Sequence, residues 1–437
     1  MKDAALTVII TFATIILLGT GCLLLPGAVA SGPGLSFHDA LFTATSAVTV
    51  TGLIVEDTGT HFSFFGQLII LMLIQFGGLG FMTFSTLIIL LLGKSLSLKD
   101  KMILENDFTS GQYASIRSLV KKIFLITFLM ELAGAILFYL QFSDLSGPDR
   151  LFSSVFHSVS GFCNAGFSLF STSFEAYRGH LGINLTLMAL IIVGGLGFLV
   201  LAELYHHLLP GGKDRRLSLH TRLVCITSIS LILLGTLVFL AFHPSSPESS
   251  SLPQRLLSAL FQSVTTRTAG FNTLNQVTLP PPLILMTLFL MFAGASPGST
   301  GGGIKTSTLG MIFLKVKSRF QHDPKVHLFY RSIPPSTIEK AFVIASISLL
   351  IVLVSFFLLT VFDPGLSFQA LFFEVVSAFG TVGLSMGITA ELSVVSKIII
   401  IFTMFVGRIG PLTLMVAIAR TQGGSEIQYP QEDVMIG

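Results

Sequence analysis

Charge is what this chain has least of. Only 11% of its 437 residues are Asp, Glu, Lys or Arg, while 52% are hydrophobic and the mean hydropathy is +0.84. A soluble domain carries roughly 25% charged residues, so a soluble globular protein is excluded. Cysteine is nearly absent: Cys22, Cys163 and Cys225 are odd in number, and two of them lie in apolar stretches. That excludes a disulfide framework and a zinc spacing, and leaves three small apolar fillers. The N-terminus lacks the short core of a signal peptide. Its apolar run from Ala4 to Leu25 has 22 residues, longer than the usual 7–15 or so of such a core, and reads as a mature transmembrane helix. The net charge of +3 gives no basis for a nucleic-acid partner.

What the chain does have is repetition. A short element recurs four times, each beginning with Phe and reaching Gly about ten residues later: Phe42 to Gly52, Phe156 to Gly166, Phe261 to Gly270 and Phe373 to Gly383. The glycines lie 114, 104 and 113 residues apart. Each element sits between apolar stretches of about 20 residues, enough to cross the ~30 Å hydrocarbon core. The pattern predicts an all-α integral membrane protein of four fused helix–pore-loop–helix repeats in pseudo-fourfold arrangement around a pore. It would have eight transmembrane helices and four re-entrant ones. The repeats are 1–92, 93–209, 210–320 and 321–437, the last with a C-terminal tail. First helices are expected near 4–25, 119–142, 220–242 and 338–361. Second helices are expected near 64–92, 182–209, 281–318 and 393–419. The 12-residue segments between them are too short to span.

Lys and Arg set the orientation. The links 93–122, 203–222 and 315–340, with Lys2 and Arg420, hold 18 of the 25. These parts and both termini are therefore expected in the cytoplasm of a plasma-membrane protein embedded in lipid. Arg267, Lys305 and Arg408 remain at membrane depth, where an ionisable residue is costly and marks a functional candidate. Glu131 falls in a first helix and is either paired or protonated.

Non-helical backbone at membrane depth survives only where protein buries it or water reaches it. Four Gly turns meeting on an axis would satisfy this by lining a channel. Thr381-Val382-Gly383-Leu384 is close to the Thr-Val-Gly-Tyr-Gly loop of potassium-channel filters. Short helices aiming their partly negative C-terminal ends at the axis favour a cation, and Asp39 and Asp149 sit near the opposite ends of two of them. In the second helices, Phe76-Gly-Gly-Leu-Gly80 matches Val193-Gly-Gly-Leu-Gly197, and Val406-Gly-Arg-Ile-Gly410 is a variant; small residues there allow close helix packing. The third departs. Gly294 to Thr308 holds five glycines and Pro297, so it is a broken helix with a loop below the filter level, as ion paths in transporters have. Two enzymatic readings of this loop fail. Gly298 to Thr306 resembles a phosphate loop, but Ile304 intrudes and no strand precedes it. Gly294-Ala-Ser-Pro-Gly298 fits G-x-S-x-G, but the predicted spanning helices carry His only at their ends, His206, His207 and His220, which leaves Ser296 without a base at its own depth. An enzyme is not expected.

The four filter-like turns, Thr-Arg-Thr-Ala-Gly-Phe-Asn at 266–272, the 294–308 loop and Val406-Gly-Arg-Ile-Gly-Pro resemble the Trk/Ktr/HKT superfamily of cation transporters over nearly the whole chain. Within it the chain is similar to the Ktr-type membrane subunit. The resemblance implies potassium uptake, often sodium-dependent, with potassium as substrate, sodium as an activator and no covalent cofactor. It implies a homodimer with a cytosolic nucleotide-binding regulatory ring on the basic face. Potassium would meet backbone carbonyls of a selectivity filter at Val50, Thr51 and Gly52, at Asn164, Ala165 and Gly166, at Thr268, Ala269 and Gly270, and at Thr381, Val382 and Gly383. The gate would comprise Gly294, Ser296, Gly298, Ser299, Thr300, Gly301, Gly302, Gly303 and Lys305, with Arg408 as barrier or loop holder. The alternative is a proton- or sodium-coupled carrier with alternating access on the same repeats.

Overall fold

The computed structural model describes residues 2–30, 34–91, 116–208, 217–242, 251–323 and 325–418. Most of the basic link 93–122, part of 203–222, Arg420 and the C-terminal tail lie outside the described residues.

Four long helices are apolar on nearly every face: α1 (Lys2–Leu23), α4 (Ile116–Gln141), α8 (Leu219–Ala241) and α12 (Pro335–Phe362). Each is long and apolar enough to cross a membrane. Their outward faces carry bare leucines such as Leu18, Leu140, Leu237 and Leu350, each at least 60% exposed. Water would penalise such a surface, whereas lipid does not. The chain is a multi-pass membrane protein.

After each long helix comes a short one: α2 (Phe37–Val48), α5 (Gly147–Cys163), α9 (Leu252–Thr265) and α13 (Phe368–Gly380). Their starts are local chemistry. Ser36 and Ser367 accept from the N–H groups of Asp39 and Ala370, each at 3.2 Å. The Ser251 N–H donates to Gln254 Oε1 at 3.1 Å, and α5 begins with Gly147-Pro148. Such caps satisfy orphan backbone donors. The C-terminal halves of all four are mostly buried.

The second apolar segments are not single rods. Expectation placed one break, in the third repeat; the structure has a break in every repeat. In α3 (Phe64–Leu91) the helical path is lost at Gly80, with φ 72° and ψ 150°. α6 (Leu181–Leu196) and α7 (Phe198–Leu208) meet at Gly197, φ 92°, with their axes bent by 102°. α14 (Val394–Ile409) and α15 (Pro411–Ile418) meet at Gly410, φ 90°. α10 (Pro281–Phe292) and α11 (Thr306–Phe320) are separated by the 293–305 loop. A positive φ is closed to helices and open to glycine, so the last Gly of each Gly-x-x-Gly stretch ends the straight part. A two-stranded hairpin, β1 (His327–Leu328) with β2 (Arg331–Ser332), precedes α12.

Packing closes on itself. The second helix of each repeat lies against the short helix of the next: α3 on α5, α6 on α9, α10 on α13, and α14 back on α2. The buried apolar residues form two main clusters, one centred on repeats one and two and the other on repeats three and four.

Candidate functional site

The four Gly turns lie at the C-terminal ends of the short helices and share one conformation. Val50, Asn164, Thr268 and Thr381 all have positive φ, between 49° and 69°, and Gly52, Gly166, Gly270 and Gly383 follow two residues later with φ of 72–91°. For β-branched Val50, Thr268 and Thr381 this region is strained, and strain held at three of four equivalent positions marks a functional candidate.

These glycines meet in cyclic order, and a side chain at any of them would strike its neighbour. A Cβ on Gly52 would stand 2.4 Å from the Ala165 oxygen, on Gly166 3.0 Å from that of Ala269, on Gly270 2.1 Å from that of Val382, and on Gly383 2.1 Å from that of Thr51. The carbonyl before each glycine therefore faces the glycine of the adjoining repeat. Above the ring opens a cavity of about 370 Å³, lined by all four glycines and by Asp57 and Glu175, with no basic residue in its wall among the described residues.

Below the ring lies the 293–305 loop. Its backbone is tied to the turns and to the second helices. Gly302 N–H donates to Thr381 Oγ1 at 3.0 Å, and the Thr300 hydroxyl donates to the Phe162 oxygen at 3.2 Å. Ser296 and Thr300 N–H groups donate to the Gly195 and Gly194 oxygens, and Gly303 N–H to the Gly407 oxygen, at 3.1–3.3 Å. Lys305 Nζ donates to the Gly301 oxygen within the loop at 2.9 Å. Within the loop, the Ser299 hydroxyl donates to the Ser296 oxygen, and Gly298 accepts from the Phe198 N–H where α6 gives way to α7. Gly301 is confined from above, since a Cβ there would meet Thr268 Oγ1 at 2.1 Å. Arg408 donates through Nη1 to the Thr300 oxygen and through Nη2 to the Gly77 oxygen. It thus joins repeats one, three and four at one point. Arg267 behaves differently, pointing to α8, where it donates to Ser228 Oγ at 3.1 Å. Glu374, fully buried, accepts from Ser385 and Thr389 hydroxyls at 2.7 and 2.5 Å. Glu131 accepts from Gln75 Nε2 at 3.2 Å.

Two features escaped the sequence reading. The Gly-Gly-Leu-Gly stretches and their Gly-Arg-Ile-Gly variant were assigned to helix packing in general; their first glycines in fact admit one particular atom. A Cβ on Gly77, Gly194 or Gly407 would sit 1.9–2.0 Å from the Val48, Phe162 or Phe379 oxygen. Each of these carbonyls lies four residues before a ring glycine. The similar spacing of the two Gly motifs, 25, 28 and 24 residues from Gly52 to Gly77, Gly166 to Gly194 and Gly383 to Gly407, was the available signal. The other feature is an ion pair between repeats one and four, Lys397 Nζ to Asp39 Oδ1 at 2.9 Å. At this outer position burial raises the Asp39 carboxyl, but hydrogen bonds from Ser36 and Lys397 outweigh it and hold the group below its ordinary value.

The family model TrkH, described as a cation transport protein, matches residues 1–426. The chain belongs to the TrkH family. Among its curated relatives is the Ktr system potassium uptake protein B of Bacillus subtilis. It is 40% identical over 432 residues, covering 98% of this chain and 95% of the relative. The potassium/sodium uptake protein NtpJ of Enterococcus hirae is 33% identical, covering 98% and 95%. The fold of this TrkH-family chain is similar to that of the crystal structure of the potassium transporter TrkH from Vibrio parahaemolyticus. The TM-score is 0.73 and the identity 23%, covering 96% of this chain and 86% of that one.

Proposed function

We propose that this chain is the ion-translocating subunit of a potassium uptake system in the plasma membrane. The observation that carries the reading is the ring of four glycines, each faced by a neighbour's carbonyl, at the base of a cavity whose described wall holds no basic residue. A dehydrated potassium ion needs carbonyl oxygens in place of water. The carbonyls of Val50 to Gly52, Asn164 to Gly166, Thr268 to Gly270 and Thr381 to Gly383 would supply them. The relatives' names, potassium uptake proteins of Ktr type and a potassium/sodium uptake protein, support potassium as substrate and sodium as a modulating ion.

In this reading the repeats 1–92, 93–209, 210–320 and 321–437 surround one pseudo-fourfold pathway. The closed cycle of contacts between successive repeats supports that arrangement. The 294–305 loop acts as the gate, since its backbone is bound to the turns above it and its Thr300 carbonyl is held by Arg408. Both termini face the cytoplasm, as the distribution of Lys and Arg supports. The subunit works as a homodimer on a cytosolic nucleotide-binding regulator; the Ktr-system names of relatives support a multi-component assembly.

Expression in a cell deficient in potassium uptake tests this. Growth at low potassium should be restored, with a difference between cells with and without a cytosolic regulator and with and without sodium. No rescue by protein that reaches the membrane would refute the reading. Unitary currents in bilayers would separate a channel-like path from an alternating-access carrier.

A further inference from the structure

Each short helix carries a hydroxyl four residues after its marker Phe: Ser46 after Phe42, Ser160 after Phe156, Thr265 after Phe261 and Ser377 after Phe373. All four side chains are fully buried. Each belongs to the residue whose own backbone oxygen accepts from the turn. Ser46, Ser160 and Ser377 oxygens take the N–H of Thr51, Ala165 and Val382 at 2.8–2.9 Å, and the Thr265 oxygen takes those of Ala269 and Gly270 at 3.0 and 3.3 Å.

The hydroxyls do two different things. In repeats one and four they accept from the ring glycine, Gly52 N–H to Ser46 Oγ and Gly383 N–H to Ser377 Oγ, both at 3.1 Å. In repeats two and three they donate one residue further out. Ser160 Oγ binds the Phe167 oxygen and Thr265 Oγ1 the Phe271 oxygen, both at 2.7 Å. The division follows the residue after the glycine, Leu53 and Leu384 in the first pair and Phe167 and Phe271 in the second.

A trans peptide is planar, so its N–H and C=O point in opposite directions. Drawing the Gly52 N–H back to Ser46 turns the Thr51 carbonyl the other way. That oxygen is the one found 2.1 Å from the Cβ position of Gly383. Drawing the Gly383 N–H back to Ser377 likewise turns the Val382 oxygen onto Gly270. In repeats two and three the hydroxyl instead ties the Phe167 and Phe271 carbonyls back to the short helix.

We propose that Ser46, Ser160, Thr265 and Ser377 are specificity-determining positioning residues. Ser46 and Ser377 hold carbonyls into the ring, and Ser160 and Thr265 hold the next carbonyls out of it, so the outer filter has two kinds of wall. This rests on the filter reading given above.

The test is the potassium-to-sodium flux ratio of the purified full-length protein in liposomes, with thermal melting recorded alongside. Ser46→Ala and Ser377→Ala should each lower the ratio roughly three- to ten-fold, the scale of one buried hydrogen bond. Thr265→Val, which keeps the shape of threonine, should lower it similarly. Thr265→Ser, which keeps the hydroxyl, should stay within about twofold of the parent. Equal ratios for Thr265→Val and Thr265→Ser, or unchanged ratios in folded Ser46→Ala and Ser377→Ala, would overturn the proposal. Gly52→Ser is the reference. If it lowers the ratio and the hydroxyl variants do not, the positioning role alone is wrong; if it too changes nothing, the filter reading fails and takes this proposal with it.

Discussion

Gly194→Ala puts the contact between the second helix and the short helix to a direct test. The methyl group would arrive 1.9 Å from the Phe162 oxygen and 3.0 Å from Thr300 Oγ1. Real Cβ atoms do not come within 3.0 Å of a heavy atom, so α6 and the end of α5 must part by about 1.1 Å, the difference between 3.0 and 1.9. Neither side yields easily, since the obstacle is backbone on both. Overpacking of this kind costs about 1–3 kcal/mol, occasionally more. Phe162 lies four residues before Gly166, and its carbonyl also accepts from the Thr300 hydroxyl at 3.2 Å. The displacement therefore reaches the turn above and the loop below together. If that cost falls on the conducting arrangement, potassium flux into liposomes should drop by roughly five- to 150-fold, with a lower melting temperature. Gly21→Ala is the matched control. Nothing lies within 4 Å of a Cβ there, so it should leave flux unchanged and be neutral or stabilising by about 0.5–1 kcal/mol. Flux within twofold of the parent and an unchanged melting temperature in Gly194→Ala would refute the reasoning.

Arg408→Gln removes a charge that holds two carbonyls in different repeats. Each charge-assisted bond is worth about 1.5–3 kcal/mol, so flux should rise several-fold, and an unchanged flux would reduce Arg408 to packing. Deleting three or more residues within 296–303 should raise flux and weaken dependence on the regulator; a fall in flux with the protein still folded would dismiss the gate. Lys397→Asp and Asp39→Lys should each lower thermal stability, and the double reversal should recover it. Because the Asp39 carboxyl is held below its ordinary value, the pair's contribution is complete above a pH of about 4 and is lost as pH falls through the lowered value. Melting curves of the parent and Asp39→Asn should therefore converge at acid pH; a constant gap would show that the pair contributes nothing.

Much of the architecture was legible because it depends on local chemistry. Twenty apolar residues in a row need lipid wherever they occur, and a Gly nine or ten residues after a Phe repeats visibly at 52, 166, 270 and 383. The break in the third second helix was also legible, since Pro297 and five glycines cannot continue a helix. The breaks at Gly80, Gly197 and Gly410 were written equally plainly, the last with Pro411 after it. They were passed over because a single glycine in an apolar helix costs only about 1 kcal/mol, and composition does not say that φ is positive there.

By itself the sequence determined a membrane protein, its fourfold repetition and the helix break in the third repeat, because hydrophobic length and the helix-breaking of Pro and clustered Gly act within a few residues. Only the tertiary structure decided what faces what. Arg408 meets Thr300 and Gly77 across 108 and 331 positions. Lys397 meets Asp39 across 358. Four hydroxyls at one sequence position divide into acceptors and donors. Such pairings follow from how rigid helices close a ring, and the direction of a carbonyl follows from its peptide plane. Neither is a property of the residues that happen to be adjacent in the chain.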